Sequence, residues 1–217
     1  MIRPQIPKEL HQVKHFSSYV QEYLSDESTV SAIELDSEQM QDMDFGKLEM
    51  RESVLKDCMF HRCAFKNASF VDVVFYSCDF SNSKFTDTYF ERCQFFCCKC
   101  IGVDMSHTII KQTAVEQSNF QYASFDKTKM SDVLFDHSDL TEVSITEAKL
   151  KKFTARGSKL IKNNFLKTAL TAIDFTETDF SMPTVSMPPV ELKGAVINMS
   201  QAADLISMWG VVVNPLS

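Results

Sequence analysis

Phenylalanine stands at every fifth position along the middle of this chain, at Phe60, Phe65, Phe70, Phe75, Phe80, Phe85, Phe90 and Phe95. A period of five suits neither an α-helix, whose faces repeat every ~3.6 residues, nor a strand, whose faces repeat every two. The chain must therefore turn at regular intervals, so that each fifth side chain returns to one interior. The register runs unbroken from Leu35, Met40 and Phe45 to Leu170, Phe175 and Phe180. All 30 of its positions are apolar, and they hold 15 of the 18 phenylalanines.

Two residues before each of these positions the side chain is small, as at Ser53, Cys58, Cys63, Ala68, Cys78, Ser83, Thr88, Cys93 and Cys98, with later exceptions at Phe153, Asn163 and Ile173. Of the 40 charged residues from 35 to 180, 39 avoid both inward positions. Random placement would leave about 24 outside them. Only Glu38 intrudes.

These residues resemble the pentapeptide-repeat family, whose pattern is A(D/N)Lxx with the central Leu or Phe inward. The resemblance implies an all-β solenoid, a right-handed quadrilateral β-helix with four pentapeptides to a coil. Large side chains would fill the tube axis, small ones the wall, and stacked coils would satisfy each other's backbone groups. Thirty repeats make 7.5 coils, a rod of roughly 36 Å at ~4.8 Å per coil. No loop interrupts the register, so function is expected on the faces or at the ends.

Segments 1–30 and 183–217 flank the repeat, which is taken as 31–182. From Pro7 to Leu24 the residues Leu10, Val13, Phe16, Val20 and Leu24 recur at helical spacing, which predicts one amphipathic capping helix. Beyond Phe180, Pro183, Pro188 and Pro189 predict an extended connection and exclude another regular coil. Asn198 or Ser200 can cap a following helix, and Gly210 suits its end. This tail, with Leu192-Lys193-Gly194, then Gln201-Ala202-Ala203-Asp204-Leu205 and Gly210-Val211-Val212-Val213, is similar to that of the Qnr-type quinolone-resistance proteins. The likeness implies a two-fold homodimer through Leu205, Met208, Trp209, Val211 and Val213; a monomeric cap is the alternative.

Chemistry-bearing clusters are sparse. The Cys97-Cys98-Lys99-Cys100 run splits in this register, Cys98 and Cys100 facing inward and Cys97 outward, whereas zinc needs four converging ligands. Seven cysteines, an odd number, also argue against disulfides. The five histidines are scattered, and no nucleophile-base pair or phosphate loop assembles, so neither an enzyme nor a cofactor or metal site is expected. The chain carries 29 acidic and 22 basic residues, a net charge of −7, which disfavours direct nucleic-acid binding. The N-terminus lacks the basic and apolar regions of a secretory leader, and no stretch approaches the ~20 apolar residues of a membrane span. A cytoplasmic location is expected.

Residues twenty apart stack, which sorts the outward positions into four faces. The most acidic carries Asp36, Asp57, Glu116, Asp136, Asp174 and Glu177 against Lys56 and Arg156, and also holds Val54, Val74, Tyr76, Phe96 and Leu134. Asp57, Val74, Tyr76, Phe96, Glu116, Leu134 and Asp136 are the candidate partner-binding residues, with a purely stabilising aromatic ladder as the alternative. Residues 149–167 hold seven bases and no acid, which as solvated surface is unremarkable. The Qnr-type resemblance implies binding to DNA gyrase or topoisomerase IV, protection against quinolones, and mimicry of duplex DNA. A dimer of about −14 over roughly 72 Å falls far short of the ~42 charges on duplex of that length, so mimicry would rest on shape and charge placement. The alternative is a scaffold that binds some other protein.

Overall fold

A computed structural model describes residues 3–214; the outermost stretches of the flanking segments, 1–2 and 215–217, lie outside it. The chain winds into a parallel β-solenoid of about nine turns, a right-handed quadrilateral β-helix with a helix near each end. The strands Glu49–Lys56, Ser69–Tyr76, Ile109–Glu116, Lys129–Asp136 and Lys149–Arg156 bend across a corner and cover two faces. Their register is twenty throughout: Met50 lies on Phe70, Ile110 on Met130, and Met130 on Leu150. The other two faces are joined mainly by single bridges, such as Asp79 to Lys99 and Lys84 to Asp104, with short strand pairs only at Gln39–Gln41 on Met59–His61 and Lys159–Ile161 on Asp179–Ser181 among the described residues.

The corner residue, two after each inward position, adopts a left-handed conformation; Asp57, Asn67, Asp87 and Lys127 all have φ between 51 and 59°. That conformation costs a non-glycine residue on the order of 1 kcal/mol. Here it aims the corner N–H at the next coil, as in Asp57 N to Tyr76 O at 2.9 Å and His137 N to Arg156 O at 2.9 Å. Gly157 takes one such corner, where a Cβ would stand 2.9 Å from the His137 ring.

The phenylalanines stack along the axis and meet edge to face around it. Phe65 lies flat on Phe85 with centroids 4.6 Å apart and planes at 3°, whereas Phe75 meets Phe80 at 87°. Both geometries suit the ring quadrupole. The small wall residues do more than fit: Thr88 Oγ1 donates to Phe65 O at 2.8 Å, Thr108 Oγ1 to Phe85 O at 2.7 Å and Cys93 Sγ to Phe70 O at 3.3 Å. Burial holds the Cys93 thiol neutral, its pKa pushed up to about 12.

One exception to the wall rule coincides with a fault. Phe153 and Ile173 fill wall positions on successive coils. Among the described residues no backbone hydrogen bond joins Lys149–Arg156 to residues 169–176, although Glu147 N to Leu166 O (3.0 Å) and Gly157 N to Glu177 O (2.9 Å) tie the coils on either side. Bulk at the wall keeps these coils from closing to ladder distance. Leu150 is accordingly the one inward residue of the thirty that is only half-buried.

The ends add the turns that the repeat did not predict. The expected helix over 7–24 is shorter: His11–Val13 forms a strand paired with Ile33–Leu35, and α1 spans Phe16–Ser25. Val13 therefore belongs to the first coil, and from the helix Phe16 and Val20 seal the tube, with Tyr19, Tyr23 and Leu24 packed partly buried beside them. Glu38, the one charged residue in a wall position, accepts from His15 N (2.8 Å) and Phe16 N (3.1 Å) at the start of α1. Its carboxylate satisfies exposed helix N–H groups and faces the positive end of the helix dipole.

At the other end the prolines do not end the stacking. Thr184 bridges Asn164, and Val196 bridges Asp174, in a final irregular coil. Glu191, buried in that coil, accepts from Lys167 N (2.9 Å), Ser186 N (3.0 Å) and Ser186 Oγ (2.7 Å). Gly194, at φ 79°, packs where a Cβ would meet Thr171 at 3.2 Å. Helix α2, Met199–Ser207, begins at Asn198 with a capping box to Gln201. Gln201 Nε2 donates to Phe175 O and Thr178 O, both at 2.8 Å, so α2 satisfies the last carbonyls of the tube.

Candidate protein-interaction surfaces

The seven residues chosen from the acidic face do gather on one side of the tube. Val74, Gln94, Ala114 and Leu134 form one column, and Tyr76, Phe96, Glu116 and Asp136 the next. Tyr76 and Phe96 stack at 5.3 Å and 16°, with Tyr76 44% exposed. Asp57 stands at the adjoining corner, its N–H bonded to Tyr76 O.

The charge of this face is less free than its composition. Asp136 takes a two-pronged contact from Arg156 (Nε 3.1 Å, Nη2 2.6 Å) and a third from His137 Nδ1 at 2.7 Å. The Arg156 guanidinium holds the Asp136 carboxyl below the usual carboxylate range, burial opposes it, and His137 adds to it. Glu116 accepts from Gln94 Nε2 at 2.9 Å, and Lys56 pairs with Glu34. The acidic column is thus partly neutralised by side chains one coil away.

An N-terminal arm, absent from the periodicity argument, also reaches this face. Gln5 N donates to Asp72 Oδ1 at 2.9 Å, and Arg3 and Pro4 border a concavity with Gln94, Ala114, Glu116 and Leu134. Asp72 is buried and gripped by Arg92 through Nε (2.8 Å) and Nη2 (2.7 Å). Burial pushes its pKa up, but the Arg92 and Gln5 hydrogen bonds prevail and lower it. Eight residues of extended chain cover ~26 Å, enough to run lengthwise from the first coil over about five coils.

The tail presents a second surface. Met208, Trp209, Val211 and Val213 are exposed, and Met199, Ile206 and Val212 join them. Leu205 does not: it is 4% exposed and packs in the chain's own core. Leu205 follows Gln201 by four residues, so both face the tube end, whereas Ile206 is exposed and Trp209, beyond the end of the helix, is 38% exposed.

The family model for pentapeptide repeats matches residues 74–112, 98–136 and 118–154, with eight copies in all. Residues 74–154, the middle of the chain, are pentapeptide repeats. Among solved structures, this pentapeptide-repeat solenoid is similar to two trypsin-treated forms of QnrB1, a plasmid-mediated fluoroquinolone resistance protein. Identity is 20% and 22%, the TM-score is 0.56 for both, and the match covers 84% of this chain and 92% and 90% of theirs. No curated protein matches the sequence.

In the pentapeptide-repeat tube the Cys97 to Cys100 run divides as the register requires, with Cys98 and Cys100 buried and Cys97 exposed. Among the described residues no group of three His, Cys, Asp or Glu side chains is placed to hold a metal, and no helix is long and apolar enough to cross a membrane. Sequence reasoning missed the arm because Arg3 to Pro7 has no register to follow. Its one signal was Pro4 and Pro7, which hold a segment extended.

Proposed function

We propose that this rod works in the cytoplasm by binding a protein, without catalysis, and that the partner is a type II topoisomerase, DNA gyrase or topoisomerase IV, which it protects from quinolones. One observation carries the reading: the solenoid shares its fold, over 84% of its length, with a fluoroquinolone resistance protein. The Tyr76–Phe96 stack supports it, since a half-exposed aromatic pair bordered by Glu116 and Asp57 has the apolar centre and polar rim of a binding surface. Because Arg156 neutralises Asp136, resemblance to a DNA duplex rests on the shape of the rod rather than on charge density. The exposed tail pairs two copies, which adds avidity toward a two-fold symmetric enzyme.

Purified protein in a gyrase supercoiling assay tests this. The expected result is capture of gyrase by the immobilised rod and a higher fluoroquinolone concentration for half-inhibition. Replacing Tyr76 and Phe96 by Ala should weaken capture at least tenfold with little change in melting temperature. Absence of both capture and drug shift overturns the reading.

A second reading, a scaffold for a different protein, is favoured by the lysine-rich face at Lys149 to Lys152, which an acidic mimic does not require. Capture of another protein from bacterial lysate, with no topoisomerase retained, would establish it.

A further inference from the structure

Beside the acidic face lies one of opposite character. Lys129 stacks on Lys149, Lys111 and Lys151 flank Ser131 in the next column, and Lys152 takes the adjoining corner. All five lysines are exposed. Elsewhere on the tube, charges twenty apart pair, as in Lys47–Glu27, Arg62–Asp42, Lys99–Asp79 and Lys167–Glu147. None of the five has a carboxylate within 4.0 Å among the described residues. The neighbouring acids are Glu91, engaged by Tyr89 Oη (2.7 Å) and Arg92 Nη1 (3.0 Å), and Asp132 at the corner below Lys152. Lys111 Nζ rests over the Tyr89 ring at 5.2 Å. Like charges stacked on adjacent strands are destabilising, so this arrangement costs the tube stability.

The same place holds the fault in the ladder. The strand Lys149–Arg156 makes no backbone hydrogen bond to the following coil, and Leu150 between Lys149 and Lys151 is half-buried. The coil above, with Leu170 and Ile173 buried, covers that strand, so what the face offers to solvent is its cations, and the complementary peptide is acidic. A duplex nucleic acid fits poorly: at one charge per ~1.7 Å it outruns five lysines within about 9 Å and then meets a rod whose net charge is −7. A short acidic segment meets the lysines alone.

We propose that this face binds an extended Asp- and Glu-rich segment of another protein, its carboxylates paired with Lys111, Lys129, Lys149, Lys151 and Lys152 beside the half-buried Leu150. The site is on a different face from the Tyr76–Phe96 stack and does not depend on the topoisomerase reading.

The test is fluorescence anisotropy of the full chain with a labelled ten-residue peptide of alternating Glu and Ser. Saturable binding is expected, weakening at least tenfold between 50 and 300 mM NaCl. It should also weaken at least tenfold in Lys149→Glu/Lys151→Glu, and severalfold in the milder Lys149→Gln/Lys151→Gln, both with unchanged circular dichroism. Lys66→Glu/Lys84→Glu, on another face, should leave it unaltered. Absence of saturable binding, or equal binding by the Lys149/Lys151 variants, overturns the proposal. Tighter binding of a labelled oligothymidylate with the same number of charges also overturns it, in favour of nucleic acid.

Discussion

The backbone N–H of Gln5 donates to the carboxylate of Asp72 at 2.9 Å, joining residues 67 apart in the chain. Asp72 needs Arg92 for its charge, but the arm needs Asp72 for its place on the rod. Gln5→Pro removes the N–H and leaves the carboxylate paired. A hydrogen bond to a charged acceptor is worth about 1.5–3 kcal/mol, and only the arm should lose it. The variant is expected to melt within a few degrees of the parent while trypsin cuts after Lys8 much faster. Unchanged cleavage would show that the arm is held by other contacts.

Met208 and Trp209 are exposed at the end of α2, whereas Gln201 and Leu205 are buried and seal the tube. Charged replacements at both positions are expected to leave the β-type circular dichroism intact and to yield a monomer in sedimentation. Leu205→Glu should instead destabilise the last coils, because it buries a charge in the core. A Met208/Trp209 variant that sediments as a dimer would place the interface elsewhere.

Glu191 is a carboxylate inside the final coil. Burial pushes its pKa up, yet the N–H groups of Lys167 and Ser186 and the Ser186 hydroxyl hold it down to about 2. A folded pKa below the unfolded one means that the stabilisation is fully present above about pH 4.5 and is lost as pH falls toward 2. Glu191→Gln should therefore melt below the parent at pH 7, and the gap should close between pH 4.5 and 2. Glu191→Ala should cost more, about 1–3 kcal/mol for each donor left unpaired. A pH-independent gap would mean that shape, not charge, makes the site.

Phe85 stacks on Phe65 and meets Phe70, Phe80 and Phe90 around the axis. Phe85→Ala is expected to cost about 3–5 kcal/mol in denaturant unfolding, as a cavity in a close-packed column. Because each coil contacts only its neighbours, hydrogen exchange should rise chiefly within two coils of residue 85. Uniform loss of protection along the rod would show that the tube unfolds as one unit.

The five-residue register from Leu35 to Phe180 contained the solenoid, its twenty-residue coil and the sorting of Val74, Tyr76, Phe96, Glu116, Leu134 and Asp136 onto one side. This much is local: each pentapeptide repeats the same choice of large inward, small at the wall and polar outward, so neighbouring repeats suffice to state the pattern. Even the irregularities were visible as letters, at Glu38, Phe153 and Ile173, but not their consequences. Whether Glu38 would cap a helix depended on where Phe16 folds, and whether Phe153 would hold adjacent coils apart depended on Ile173 stacking above it. The tertiary structure alone decided that Val13 joins the first coil beside Leu35, that Gln201 bonds to Phe175 as Leu205 turns into the core, and that Gln5 lies on Asp72. Those contacts link segments outside the repeat to positions 22, 26 and 67 residues away. Their energies come from which groups the folded coils leave unsatisfied at the ends and along one face, and no periodicity in the chain records that.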